Sequence, residues 1–477
     1  MIRRMVNILL FILSLLQPAI VFADIVVDTE SLHLRFSEQG DLVYTQSCFP
    51  ACAVNGAKTR VLSARQGMLV FNQDDSGRLH LDRQNDKTTT TLTFVDQTEH
   101  PIREWKIPQK GWVISVKSFR NSVMSLRSGI DFRPMPSSGF GNLLEQSRYI
   151  VVNDSAVETI SLDDTEQGPR ITSDWFGFRN RFWTVMVLPG KPVSIHQAGG
   201  ESVTDPGIDI SNTGKGLNSD MILYLGPIEP EALSQVSPVL EDLMYSGLWF
   251  WLRWICQGLY ALLNVIVMLL PQWGLAVMVL SLVVAVLMRP LSRIAENLQN
   301  QVHEIDARLA PKLVDIKKNH KGAEQSEKIL AMYKEEDVHP LYSMKSLMGV
   351  FVVVPVFIGA FDMLAENIHL SGESFLWIAD LSHPDALMAL PFQLPFFGGN
   401  LNLLPFIMTV FSYIASRLHH HPSMDAIQQR KQFRNLVLMS LGFLVLFYTF
   451  PAGMVLYWTT NNLISVFKVL GNKKGKA

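Results

Sequence analysis

The sequence lacks the patterns that mark most enzymes and nucleic-acid-binding proteins. Only 18% of its 477 residues are charged, it has three cysteines, and its net charge is −2, so no basic excess indicates a nucleic-acid partner. The N-terminal half has no recognisable phosphate-binding loop, Ser-His-Asp set or carboxylate pair. We therefore expect no enzymatic activity and no cofactor. What is abundant is apolar: 48% hydrophobic residues favour a membrane protein with a soluble part.

Two of the cysteines, Cys48 and Cys52, stand four residues apart in SCFPAC. In an oxidising compartment they could form a disulfide, and the alternative is two unrelated small side chains. A structural zinc site needs a second ligand pair that this spacing does not provide. The consecutive histidines 419–421 also have no second ligand cluster nearby, so we predict no metal site.

Residues 1–23 have the pattern of a secretory signal peptide. Two arginines precede an apolar core from Met5 to Leu16, and small residues lead up to Ala23, after which cleavage is expected. The alternative is an uncleaved N-terminal anchor helix. Both interpretations place Asp24 and the residues after it outside the cytoplasm.

Residues 24–247 are polar and contain short alternating runs, such as Thr89–Phe94 and Trp112–Lys117, separated by Gly and Pro turns. Alternation with a period of two residues is typical of strands that are buried on one face. We predict an antiparallel β-sandwich domain, large enough at roughly 200 residues to bury its own core.

Residues 271–477 are predicted to form an α-helical membrane bundle with five spans, to which a retained N-terminal anchor would add a sixth. Several of the apolar segments are near the lower limit of ~17 residues for a spanning helix. The five segments are Trp273–Met288, Ser346–Leu364, Leu403–Ser416, Leu436–Phe450 and Met454–Leu470.

The distribution of basic residues predicts the orientation. Lys and Arg are frequent in Arg289–Lys345, Arg417–Arg434 and Lys468–Lys476 but absent from Glu366–Asn402, so the first three segments should be cytoplasmic. An odd number of crossings must then precede Arg289. The additional apolar segment at residues 248–270, which is rich in Trp, is therefore predicted to be an amphipathic helix in the outer interface.

The first basic segment has an internal pattern of its own. Apolar residues recur at steps of three and four from Leu291 to Ile316, and a shorter run with the same pattern spans Glu324–Glu336. This predicts a cytoplasmic helical hairpin at residues 291–340, whose two helices pair along their apolar stripes. The alternative is a solvated connector.

This order of elements resembles the YidC-type membrane protein insertase family of Gram-negative bacteria, over nearly the whole chain. The stretches that carry the resemblance are Gln272-Trp-Gly274, Met288-Arg-Pro-Leu-Ser292, Met332-Tyr-Lys334, Val338-His-Pro-Leu341, Leu376-Trp-Ile-Ala-Asp-Leu-Ser382, Phe450-Pro-Ala-Gly-Met-Val-Leu-Tyr457 with Asn461, Trp175-Phe-Gly-Phe-Arg-Asn-Arg-Phe-Trp183 and Tyr224-Leu-Gly-Pro227.

The resemblance implies a protein of the bacterial inner membrane that moves nascent membrane-protein segments from the cytoplasm into the bilayer without nucleotide hydrolysis. Implied partners are nascent membrane proteins, the ribosome, the Sec translocon and membrane lipids. The β domain would lie in the periplasm, and the hairpin and C-terminus in the cytoplasm. The alternatives are an assembly chaperone that does not insert its clients and a small-solute transporter, although we find no repeated halves of the kind common in transporters.

The resemblance also implies a polar groove with an arginine. The family position falls on Ala285, whereas this chain has Arg289, four residues later and hence one turn lower on the same helical face. Either Arg289 attracts clients in a groove together with Ser281, or it is a boundary charge that reaches the interface. Asp362 in the second span is a groove-lining or helix-stabilising acid, or alternatively an interfacial one.

Tyr457, Trp458 and Asn461 form part of a polar cluster in the last span. Polar side chains in a span usually face a cavity or another helix, and the resemblance implies substrate contacts around Trp458. Two other family features are replaced here: Tyr342-Ser-Met344 stands where Gly-Gly-Cys is usual, and Val353 where a groove glutamine is usual. We therefore expect a divergent member of the family.

Overall fold

The computed structural model describes residues 25–54, 56–61, 68–72, 79–120, 123–127, 138–145, 147–153, 156–161, 170–198, 207–212, 219–339, 341–342, 344–418 and 426–474. The predicted signal peptide or anchor and the histidines 419–421 lie outside these residues. The chain divides into two compact units. The β unit comprises Met1–Pro136 and Glu145–Met244, and the helical unit comprises Ser137–Leu144 and Tyr245–Ala477.

In the described part of the β unit, eighteen strands form two antiparallel sheets of nine. The first sheet contains β1 (Ile25–Asp28), β2 (Leu32–Phe36), β3 (Leu42–Phe49), β4 (Lys58–Val61), β5 (Leu69–Asn72), β10 (Val123–Arg127), β13 (Arg170–Thr172), β16 (Val193–Ala198) and β17 (Gly207–Asn212). Their order is β1-β2-β3-β5-β10-β17-β16-β13, and β4 pairs with β3.

The second sheet has the order β12-β11-β14-β15-β18-β9-β8-β7-β6. It contains β6 (His80–Asn85), β7 (Thr89–Val95), β8 (Pro101–Pro108), β9 (Val113–Ser118), β11 (Arg148–Asn153), β12 (Ala156–Ser161), β14 (Trp175–Arg179), β15 (Trp183–Pro189) and β18 (Ser219–Pro227). A short helix α1 (Pro230–Ser234) and a 3-10 turn (Pro238–Leu243) close the unit.

Aromatic side chains join the two sheets. Trp105 of β8 is fully buried, and its ring lies 5.0 Å from that of Phe36 and 6.2 Å from that of Phe71, both in the first sheet. Its Nε1 donates to the carbonyl of Gly40 at 3.0 Å, so the one polar atom of the indole is satisfied. In β7 the burial alternates along the strand, as the period of two predicts. The predicted antiparallel β domain is confirmed.

The helical unit contains eight helices in its described residues, together with the hairpin strands β19 (Met388–Leu394) and β20 (Gly398–Leu401). The helices are α2 (Phe250–Leu269), α3 (Trp273–Leu287), α4 (Arg289–Asn319), α5 (Gly322–Glu335), α6 (Met344–Ala365), α7 (Leu404–Leu418), α8 (Ala426–Phe447) and α9 (Ala452–Lys474). A helix is present at each predicted span. Part of the basic segment Arg417–Arg434, which was predicted to be a cytoplasmic connection, is helical, because α8 already begins at Ala426.

By length and composition, α2 alone among the described helices could cross a membrane, and the bent pair of α3 and α4 would be a second span if read as one. Shorter apolar helical segments are Val353–Ala365, Leu404–Ala415 and Phe433–Phe447. The five-span count therefore stays a prediction. The interfacial position of α2 also stays a prediction, since its mean hydropathy of 1.6 suits a spanning helix too.

Helices α4 and α5 form a hairpin around a small apolar core. Its buried residues are Val302, Leu309, Met332, Val338 and Tyr342. At the end of the hairpin away from the turn between its helices, Glu336 forms an ion pair with Lys312. There the Tyr342 hydroxyl also donates a hydrogen bond to the carboxylate of Asp306. Tyr342 thus closes the end of the hairpin.

Candidate functional site

Ser281 and Tyr457, both predicted groove residues, are brought together by the packing of α3 against α9. Ser281 is 1% exposed, and its Oγ donates to the backbone carbonyl of Tyr457 at 3.1 Å. The Tyr457 side chain is also buried, at 8% exposed. No water is available to a hydroxyl in an apolar interior, so a hydrogen bond to a neighbouring helix satisfies it instead. This serine therefore links α3 to α9 through a hydrogen bond.

Arg289 lies at the junction between α3 and α4. The expectation that it continues one face of α3 is wrong, because α3 ends at Leu287 and Arg289 is the first residue of α4. The chain turns there since Pro290 can occupy the first turn of a helix but cannot donate within one. Arg289 is exposed, whereas Ala285, the position that aligns with the family arginine, is half-buried.

A second basic residue, on the last helix, is close enough to Arg289 for their charges to interact. Lys468 of α9 is half-buried and lies within electrostatic range of both Arg289 and Glu296. Two cations and one carboxylate at this junction leave it with a net positive charge, which favours an anion. Sequence reasoning singled out Arg289 but missed Lys468, whose only signal was its position in the basic C-terminal tail.

Trp458 lies in an aromatic cluster, which we define as Phe357, Phe443, Phe447 and Trp458. The ring of Trp458 is 4.6 Å from that of Phe357 and 5.9 Å from those of Phe443 and Phe447. These residues come from α6, α8 and α9, so the half-buried indole packs where three helices meet. Its described surroundings are apolar, which suits contact with a hydrophobic segment better than with a polar one.

The polar residues that follow Trp458 are mostly used within the helices. The hydroxyls of Thr459 and Thr460 donate to the carbonyls four residues earlier, at 2.7 and 2.8 Å. Asn462 Nδ2 donates to the carbonyl of Met408 on α7 at 3.3 Å. Asn461 is half-buried. The cluster therefore resembles packing contacts between helices more than the wall of an open polar cavity.

Asp362 belongs to another cluster, between α6 and the segment that begins at Tyr245. Its charge acts on the thiol of Cys256 in α2 and on Tyr245. Glu366, four residues later, accepts a hydrogen bond from the backbone N–H of Tyr245 at 2.9 Å. Burial, followed by the Glu366 carboxylate, raises the pKa of Tyr245 well above its usual value. Asp362 thus acts electrostatically on α2 and on the segment before it.

The stretch Leu376–Ser382, one of the motifs of the resemblance, folds into an ordered loop. The Asp380 carboxylate accepts hydrogen bonds from Ser382 N and Oγ at 2.8 Å and contacts His383 at 3.0 Å. Asp385, just beyond, accepts from Trp377 Nε1 and from the backbone N–H groups of Leu403 and Leu404. The loop therefore caps the start of α7, which sequence reasoning did not predict.

The long helices expose large apolar side chains. Among the described residues, examples from six helices are Met268 at 82%, Leu287 at 63%, Phe351 at 75%, Val410 at 54%, Leu438 at 59% and Phe467 at 64%. A soluble monomer seldom exposes so much apolar surface, whereas lipid covers it without cost. The two units together define a membrane protein with a large antiparallel β unit.

A family model described as "60Kd inner membrane protein" matches residues 265–476. This segment begins in α2 and contains all the later helices, and over it the chain is similar to that family.

Curated relatives show the same similarity. A membrane protein insertase YidC of Janthinobacterium sp. (strain Marseille) is 30% identical over 52% of this chain and 41% of its own length. One of Helicobacter pylori (strain ATCC 700392 / 26695) is 28% identical over 80% of this chain and 64% of its own length. The chain thus spans less than two thirds of either relative. A crystal structure of an active YidC insertase aligns over 98% of both chains, with 20% identity and a TM-score of 0.36.

Proposed function

We propose that this protein is a membrane protein insertase and chaperone of the bacterial inner membrane, which moves nascent membrane-protein segments from the cytoplasm into the bilayer. The observation that carries the proposal is the family match over residues 265–476, which coincides with the helices that expose apolar surface. Nascent membrane proteins would be its clients, and the ribosome and the Sec translocon its other partners.

The proposed orientation follows the basic residues. The α4–α5 hairpin and the C-terminal tail would face the cytoplasm, where ribosomes deliver clients, and the β unit would face the periplasm. In that arrangement α2 lies in the outer interface, since a crossing by α2 would move the basic hairpin to the outside. Trp249, Trp251 and Trp254 at its N-terminal end suit this depth, where Trp is enriched.

The junction between α3 and α4 would receive the polar part of a client. Arg289 and Lys468 form a cationic pair there, and a negative or strongly polar external segment would be attracted to it as it leaves water. This differs from the single arginine at the position of Ala285 that the family pattern implies. We propose that here the attracting charge lies at the helix junction, supplied by two helices.

The apolar part of the client would pass along α6 and the aromatic cluster. Phe351, Val353 and Val354 of α6 are 75%, 40% and 40% exposed. An apolar segment that slides along them into lipid gains the free energy of burying ~20 residues, so no nucleotide hydrolysis is needed. Val353, in place of the family's glutamine, makes this path more apolar.

The test replaces Arg289 with Ala and with Lys in cells depleted of their housekeeping insertase. Insertion of a client that has a short acidic external segment is measured by protease protection. We expect Arg289→Ala to reduce insertion several-fold and Arg289→Lys to restore most of it, because the charge is what attracts the client. Arg293→Ala, which removes another exposed arginine of α4, is the matched control and should have little effect.

Two other results would contradict the proposal. Insertion that is unchanged in Arg289→Ala and in the double variant with Lys468→Ala would show that the cationic pair does not attract clients. Equal losses in Arg289→Ala and Arg293→Ala would show that only the total positive charge of the cytoplasmic side matters, as expected for a boundary residue.

A further inference from the structure

Strands β2 and β3 of the β unit, together with the turn that follows β3, bring a histidine to the cysteine pair. One ligand atom from each of His33, Cys48 and Cys52 lies within 4.8 Å of the other two. In the structure Cys48 and Cys52 are joined in a disulfide. The sequence suggested no third ligand because His33 is in a different strand, so the spacing of the cysteines alone gave no reason to expect a metal site.

Strand pairing explains why these side chains share one face. Asp28 of β1 is directly opposite His33 of β2, and residues opposite one another in an antiparallel pair point to the same side of a sheet. On the other flank, the N–H of Cys48 donates to the carbonyl of Ser31 at 2.9 Å. His33 is directly opposite Gln46 of β3. Because Cys48 is two residues beyond Gln46 in the same strand, His33 and Cys48 are diagonal neighbours on that face.

The histidine is oriented in the way that metal-binding histidines usually are. Its Nδ1 lies 2.8 Å from Oδ1 of Asp28. When Nδ1–H donates to the carboxylate, the lone pair of the neutral imidazole is on Nε2, and the ring becomes a better ligand. With two thiolates beside it, the set of one imidazole nitrogen and two sulfurs is typical of zinc rather than of calcium or magnesium.

We propose that the reduced form of this protein binds one thiophilic divalent ion, with Zn²⁺ as the reference ion, through Cys48, Cys52 and His33. A small dithiol transfers two electrons and two protons to the disulfide, which yields two thiols and the oxidised dithiol. Metal binding then releases both thiol protons, and water completes a four-coordinate site.

The disulfide and the metal complex exclude each other because both use the same two sulfur atoms. Cys48 is 1% exposed, whereas Cys52 is half-buried, so a dithiol can reach the sulfur of Cys52 first. Under oxidising conditions the disulfide closes the segment from Cys48 to Cys52 on itself. Under reducing conditions the bound metal would also link this segment to His33 of β2.

The test uses the full chain in nanodiscs, oxidised or reduced with dithiothreitol that is then removed without oxygen. Zn²⁺ binding is measured by competition with a chromophoric chelator. We expect one Zn²⁺ per reduced chain and none per oxidised chain. His33→Ala and Cys48→Ser should each weaken binding by about 100-fold or more, and Asp28→Asn by about 10- to 100-fold, the usual effect of losing the carboxylate behind a histidine ligand.

His80→Ala is the matched control, because His80 is an exposed histidine of the same unit and its loss should leave the affinity unchanged. Cys256 is kept in every variant, so its thiol contributes equally throughout. His33→Ala retains both cysteines and can still form the disulfide, which keeps the test valid if Cys48→Ser fails to fold. The proposal is overturned if the folded, reduced wild type binds no Zn²⁺, or if His33→Ala binds it as tightly as the wild type.

Discussion

The Ser281 hydroxyl donates a hydrogen bond to the Tyr457 carbonyl at 3.1 Å, which joins α3 to α9 in the interior of the helical unit. The hydroxyl that was predicted to line a client groove is thereby engaged in helix packing.

We expect Ser281→Ala to lower the free energy of unfolding by about 0.6 kcal/mol, the average for a hydrogen bond between helices in a membrane protein. Ser281→Leu should cost more, roughly 1 to 3 kcal/mol, because there is no space for the extra atoms at a residue this buried. Unfolding in detergent measures both. Leu282→Ala, at a neighbouring exposed position, is the control. If Ser281→Ala kept its stability but lost client insertion, the hydroxyl would act on clients instead.

Asp380 should make stability depend on pH in the acidic range. Burial alone would raise its pKa, but hydrogen bonds from His383 and Ser382 outweigh that effect and hold the pKa of Asp380 at about 2. Because this pKa is below the ordinary value of 3.8, the carboxylate stabilises the folded state above about pH 4, and this stabilisation is lost as the pH falls toward 2. The expected loss is about 2 kcal/mol.

The measurement compares the wild type with Asp380→Asn in chemical denaturation at several pH values. The difference in unfolding free energy should be largest near neutral pH and shrink between about pH 4 and pH 2. Asp315→Asn, at an exposed residue of α4, should show no such trend. A difference that stays constant with pH would mean that Asp380 is not ionised preferentially in the folded state.

Position 458 can distinguish an insertase from an assembly chaperone. A photo-crosslinking residue in place of Trp458 would lie in the aromatic cluster, half-buried at the junction of three helices. We expect it to capture ribosome-bound nascent chains, because an apolar client segment would pass this surface during insertion. The same probe at buried position 457 should capture much less. Capture of completed membrane proteins alone would favour a chaperone that does not insert its clients.

The α4–α5 hairpin should depend on its small core. Leu309 is fully buried between the two helices, so Leu309→Ala should destabilise the hairpin by about 2 to 5 kcal/mol. Limited proteolysis within residues 291–340 reports this local opening, since a loosened hairpin exposes cleavable backbone. Val314→Ala, on the same helix but 65% exposed, should leave the cleavage rate close to that of the wild type. Equal cleavage rates for Leu309→Ala and Val314→Ala would show that the apolar stripe does not hold α4 and α5 together.

The positions of the helices could be predicted closely where the sequence is apolar and less well where it is charged. The predicted span Trp273–Met288 differs from α3 by one residue at its end, since its apolar run and the following proline mark both boundaries. By contrast, α8 begins ten residues before the predicted span at Leu436, because basic residues continue a helix without any apolar signal.

The partners of the candidate site residues were harder to predict. Sequence reasoning did not connect Asp362 with Cys256, on whose thiol its charge acts. It did not identify Lys468 as the neighbour of Arg289, nor the aromatic neighbours of Trp458. These pairs are far apart in the chain, and which faces of two helices meet depends on the packing of all the helices together.

The sequence by itself determined the two-part organisation, with its β unit, apolar helices and basic hairpin, because hydrophobic periodicity and the placement of charge are local properties of a chain. Only the tertiary structure decided which side chains meet. It joined Ser281 to Tyr457 by a hydrogen bond. It also assigned Ser137–Leu144 to the helical unit, where the Gly141 N–H donates to Thr449 Oγ1 at 3.1 Å. It also brought His33 to Cys48 through strand pairing. Such contacts arise between distant segments, where close packing and the pairing of buried polar groups, rather than any local pattern, select the neighbours.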